Sequence, residues 1–138
     1  MQITIPILKM PYTDAGSMAQ YPDAVWRPAL TTINGLDFAA GVESYAYVNQ
    51  ADLEAGATPI PGAQHHTAVP TPVFVQAMAQ AAASGTNLAV IAGTILQICQ
   101  TVPDTATGAK NPDGSPVMAA FFANASIVMA TITLQVGG

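Results

Sequence analysis

Two segments of the chain, one near each end, alternate apolar and polar residues with a period of two. At the start, Ile3, Ile5 and Ile7 alternate with Gln2, Thr4 and Pro6. Near the end, Val128, Ala130, Ile132, Leu134 and Val136 fall opposite Thr131, Thr133 and Gln135. Only an extended backbone turns such a period into a buried side, so both are expected as core strands lying near each other. The second belongs to the longest apolar stretch, Pro116 to Val136, around which the rest of the chain is organised.

Between them, Asn34-Gly35 supplies the positive φ of a tight turn and separates Leu30–Ile33 from Leu36–Phe38, which predicts a hairpin. Ser44–Val48, aromatic and β-branched, predicts a further strand. Thr71-Pro72 carries a capping hydroxyl and a proline at the first helical position, followed by Ala-rich sequence to Ser84-Gly85, the best helix signal in the chain. Val73-Phe74-Val75 is its counter-signal. Thr86–Val102 fits both periods: Leu88, Ile91, Ala92, Ile95, Leu96 and Cys99 make a helical stripe, while Leu88, Val90, Ala92, Leu96, Ile98 and Val102 make a strand face. Its β-branched content and interior Gly93 favour extension. Strands are thus expected near 2–8, 29–33, 36–40, 44–48, 88–101 and 126–136, with at most two short helices, in a mainly β fold. The alternative is α+β, with helices at about 72–84 and 87–101.

Three stretches interrupt this pattern. Residues 11–28 hold three prolines, Tyr12, Tyr21 and the single Trp26, and read as a Pro/aromatic arm or ordered loop rather than a helix or central strand. Residues 49–72 and 103–116 read as long loops, the latter closing on the turn Asn111-Pro112-Asp113-Gly114, which should protrude. At 138 residues the chain is expected as one domain, 1–138, large enough to bury a core. The single Cys99 makes no internal disulfide. The start MQITIPILKM lacks the basic region of a signal peptide, and the run from Val117 is broken by Asn124, Ser126, Thr131 and Thr133, so a soluble chain is expected.

Charge changes the picture most. Only 8% of residues are charged, against about 25% in ordinary soluble domains. The bases are Lys9, Arg27 and Lys110, too few to neutralise a nucleic-acid backbone or hold an anionic membrane. With 51% hydrophobic residues beside so little charge, the surface has the character of an interface, and the chain is expected to assemble. Tyr12, Tyr21 and Trp26, with Arg27 as a planar donor, are the candidate partner contacts; packing over the domain's own core is the equal alternative.

Chemistry is less promising. His65-His66 is the only histidine pair, and Asp52, Glu54 and Cys99 stand at no recognisable metal-ligand spacing from it. The two histidines are expected in a loop. Any nucleophile would have to be chosen freely among the serines, and Cys99 lies in an apolar segment as a small core residue. There is no phosphate loop or nucleotide fingerprint. No catalytic, metal-binding or cofactor-binding residue is therefore assigned, and the protein is expected not to be an enzyme.

The strand-forming ends ITIPIL and SIVMATITLQV, the arm YPDAVWRP, the Thr/Gln/Ala surface and the scarcity of charge resemble the decoration, or cement, proteins of tailed bacteriophage capsids. That resemblance implies a jelly-roll-like β-sandwich assembled in the host cytoplasm and bound to the outside of the virion as a dimer or trimer. Its partner would be the major capsid protein or other virion subunits, whose seams it would bridge and stabilise. Nucleic acid and membrane are not expected partners. A phage tail or head–tail connector component is the alternative within that class; a cupin-like jelly roll holding a metal or small ligand with His65 and His66 is the alternative from another.

Overall fold

The computed structural model describes residues 2–33, 40–84 and 88–133. In chain order it forms strands β1 (Gln2–Lys9), β2 (Tyr12–Thr13), β3 (Gln20–Tyr21), β4 (Val25–Ile33) and β5 (Ala40–Tyr47), then helix α1 (Gln50–Glu54) and strand β6 (Gln64–Val69). Helices α2 (Thr71–Ser84) and α3 (Leu88–Thr101) follow, and strands β7 (Thr105–Lys110), β8 (Pro116–Ala119) and β9 (Ser126–Thr133) complete it.

The end segments pair with each other as their alternation requires. β1 and β9 run antiparallel from Gln2 opposite Thr133 to Lys9 opposite Ser126. Ile5, Ile7, Ala130 and Ile132 are buried, whereas Gln2, Thr4, Thr131 and Thr133 are exposed. This pair forms one side of a five-stranded antiparallel sheet ordered β6-β5-β4-β1-β9. Two small ribbons, β2-β3 and β7-β8, stand apart from it. The architecture is mainly β, as the period-two segments indicate, and is consistent with a β-sandwich.

Within the sheet, β1 meets β4 at only two residue pairs, Leu8 with Trp26 and Lys9 with Val25. Towards its start, β1 leaves β4, and α3 packs against both strands. Ile3, Ile5, Arg27, Pro28, Ala29, Ile91, Ala92, Ile95 and Ile132 line a cleft of about 270 Å³ there. The parting also explains how Pro28 sits inside a sheet strand, in a stretch expected to be arm or loop. Beyond Trp26, one side of β4 has no strand partner among the described residues, the edge-like position in which a missing N–H is tolerated.

Several expectations are corrected. Residues 88–101 form α3, not a strand. The helical stripe prevails because Ile95, Leu96, Ile98, Cys99 and Val102 all enter one core with Val42, Ala46 and Phe74. Tertiary burial of one helix face outweighs the modest intrinsic reluctance of Val, Ile and Gly to be helical. Three helices occur among the described residues rather than two at most. α1 was hidden in the long loop at 49–72, although Asn49 marks it by accepting a hydrogen bond from the Asp52 N–H at 2.8 Å. β6 occupies the same stretch. The loop at 103–116 contains β7, and the arm at 11–28 contains β2, β3 and the start of β4. The Asn34-Gly35 turn, most of the strand at 36–40 and residues 134–136 lie outside the described residues, while β4 and β5 pair antiparallel up to Ile33 opposite Ala40.

Gly93 lies within α3, and a Cβ built on it meets nothing within 4 Å beyond the helix itself. Gly93→Ala is therefore expected to stabilise the protein by about 0.5–1 kcal/mol. Equilibrium denaturation in urea checks this.

Candidate interaction site

The β7-β8 ribbon is largely exposed along its length. All residues of β7 except Thr105 are exposed, as are Pro116 and Met118 of β8. Its tip is the turn the sequence indicates. The Asn111 carbonyl accepts from the Gly114 N–H at 2.9 Å, Gly114 takes φ 86°, and Asp113 Oδ1 accepts from the Ser115 N–H and hydroxyl. A left-handed Gly108 sits in the register shift between Ala106 and Lys110. The strand sides carry Thr, Ala, Val and Met, so apart from Lys110 and the tip carboxylate Asp113 the ribbon extends an uncharged surface away from the core.

Its root is built very differently. Asp104, between α3 and β7, accepts four side-chain or backbone hydrogen bonds. Oδ2 receives His65 Nε2–H at 2.7 Å and Thr67 Oγ1–H at 2.8 Å; Oδ1 receives the Phe121 N–H at 2.8 Å and Thr105 Oγ1–H at 3.2 Å. Because a carboxylate only accepts, His65 carries its proton on Nε2 in this contact. The Asp104 N–H donates to the Ala119 carbonyl at 3.0 Å, closing the base of the ribbon. Burial alone would raise the Asp104 pKa. The donors from His65, Phe121 and Thr67 outweigh it and hold the carboxyl below its ordinary range.

Aromatic rings surround this anchor. The His65 ring stacks on Phe121 at 4.1 Å between centroids, and Phe121 meets Phe122 edge-on at 4.8 Å. Both phenylalanines meet Trp26 edge-on, at 5.7 and 5.3 Å. Trp26 in turn meets Tyr12, which stacks on Tyr21 across the β2-β3 ribbon. Both ribbons are thus rooted in one aromatic cluster.

The four sequence candidates separate here. Trp26 is 1% exposed and donates Nε1–H to the Met10 carbonyl at 3.0 Å, so of its two alternatives it takes the core one. Tyr12 and Tyr21 are half-buried against that core, at the base of their ribbon. Arg27 lies on β4 and lines the cleft beside α3. The sequence reading missed Asp104, Phe121 and Phe122. Phe121-Phe122 in the otherwise small-residue stretch AAFFANA was the available signal.

The histidines lie on strand β6, not in a loop, and adjacent strand positions send them to opposite faces. His65 meets Asp104, whereas His66 Nδ1 lies 2.6 Å from Glu43 Oε1. Glu43 also accepts from Gln64 Nε2–H at 2.8 Å, and these two contacts lower its pKa. This arrangement does not bring the two rings to one ion, and no group of three metal-ligating side chains occurs among the described residues.

Ser44 stands opposite His65 across the β5-β6 ladder, giving a Ser, His, Asp succession of residue types. Its geometry is unsuited to nucleophilic catalysis. Ser44 is fully buried, and its Oγ makes no hydrogen bond to the imidazole. Burial pushes the neighbouring Cys99 thiol up to about 12, so it stays protonated and unreactive. No helix among the described residues is long and apolar enough to cross a membrane. No protein-family model, curated protein or solved structure matches the chain.

Asp104→Asn removes the charged acceptor of a mostly buried network and is expected to destabilise the protein at neutral pH by about 1–3 kcal/mol. The folded-state pKa of Asp104 lies below the unfolded value. Its contribution is therefore whole above the unfolded value, about 3.9, and is lost as pH falls through the folded one. Denaturation of the wild type and variant across pH should show a constant gap above about pH 5 that narrows in acid.

Proposed function

We propose that the protein is a non-catalytic structural subunit that docks onto a larger protein assembly, and that its place is the outside of a phage capsid, where it bridges and stabilises major capsid subunits. The observation that carries this reading is the β7-β8 ribbon. An isolated two-stranded ribbon is marginal in water, because it has no face to bury. This one is firmly rooted at Asp104 yet largely exposed along its length, an arrangement suited to burial against another chain. The 8% charge content supports the same reading, since a docked subunit keeps little solvent-facing surface.

Each docked copy would add buried area across a seam between shell proteins, and the shell could not open there without losing it. Repetition over a symmetric lattice multiplies weak single contacts. A tail or head–tail connector would use the same surfaces. The opposed environments of His65 and His66 disfavour the cupin-like alternative.

The test is particle association. In its native source the protein should co-sediment with a particle at fixed stoichiometry. A variant with residues 106–118 replaced by a two-residue turn should fold with near-normal melting, since the ribbon lies outside the core, yet lose most of that association. A fully associated variant would exclude the ribbon as the contact. Absence of the wild-type protein from any particle would overturn the whole reading.

A further inference from the structure

Among the described residues β9 is the outermost strand of the sheet, and its far side faces no other strand. Exposed edges are normally blunted by charged residues, proline, bulges or a short strand. β9 has none of these: Ser126–Thr133 is eight residues long, uncharged and proline-free, and pairs with β1 in continuous register. Ile127 and Met129 are 56% and 53% exposed, in line with exposed Thr131 and Thr133.

What covers this edge is α1. Gln50 and Glu54, one helical turn apart, reach past the strand. Gln50 Nε2–H donates to the Met129 carbonyl at 2.8 Å, and Glu54 Oε2 accepts the Thr131 N–H at 2.6 Å. These side chains engage the very backbone acceptor and donor that an added strand would use. They also place a carboxylate at the edge. The lock rests on one short helix, held by Leu53 in the core with Ile7, Val25 and Ala130.

We propose that the edge of β9 is a strand-pairing surface for a second copy of this chain, and that Gln50 and Glu54 hold it closed in the free subunit. The occupant follows from charge and geometry. Two uncharged β9 strands meet without like-charge opposition, and a two-fold axis sets the outward positions 127, 129, 131 and 133 against one another. With the axis at position 129, Met129 meets its own copy, and the sheet continues in the antiparallel mode it already uses. While the lock is closed, each copy presents Glu54 to the other, and the two carboxylates repel. Opening requires both Glu54 side chains to turn away from the edge. This surface is separate from the β7-β8 ribbon, so it stands or falls independently of the docking role.

Sedimentation of the full chain at micromolar concentration tests this, with Gln50→Ala/Glu54→Ala compared with the wild type. The double variant should self-associate at least tenfold more tightly, and adding Met129→Lys should reverse the gain. Unchanged association in the double variant, or a gain that Met129→Lys leaves intact, would overturn the proposal. Should the double variant fold poorly, Glu54→Gln with Gln50 retained removes only the repelling charge. It should also strengthen association, and its failure to do so in a folded protein would count equally against the lock.

Discussion

The structure depends most on one carboxylate. Asp104 gathers donors from β6 (His65 and Thr67), from its own successor Thr105, and from the Phe121 backbone beyond β8. It thereby joins the sheet's β6 edge, the end of α3 and both strands of the β7-β8 ribbon at one point. A buried carboxylate is costly unless nearly all its acceptor capacity is used. Here it is used, and the depressed pKa expresses that the charged form is the one the site is built around. The aromatic cluster beside it makes edge-to-face contacts that favour one arrangement of rings.

Rigidity and exposure are divided accordingly. Trp26, Phe122, Leu8 and Val42 are fully or almost fully buried in the core. The ribbons that leave the cluster carry the exposed polar and small apolar side chains. Charge is scarce throughout, so desolvating these surfaces carries little of the penalty that ionised groups impose. α1 is the counterpart at the other end of the sheet, where two of its polar side chains satisfy the backbone of an otherwise open strand.

Much of the strand framework was legible because it rests on local periodicity. Ile5 and Ile7, like Ala130 and Ile132, announce a buried side through alternation, and the turn at Asn111–Gly114 follows from backbone chemistry alone. Segment 88–101 was misread because its two periods share residues, and the deciding factor, the core formed with Phe74 and Val42, is tertiary. The candidate site was less legible still. Trp26 and the tyrosines were visible as anchors, but whether they face inward depends on β4 passing beneath Phe121 and Phe122. Asp104 carries no sequence signal, since apart from the adjacent Thr105 its partners lie 37 and 39 residues before it and 17 after.

On the docking role proposed above, the ribbon rooted at Asp104 stays exposed in the free subunit and is buried when another chain covers it. Hydrogen exchange of the free subunit and of the subunit in its native assembly tests this most directly. Amides of residues 106–118 should exchange rapidly in the free protein and slow by at least about tenfold on assembly, while those of β4 and β5 stay equally slow in both. Ribbon amides that exchange at the same rate in both states would contradict the account.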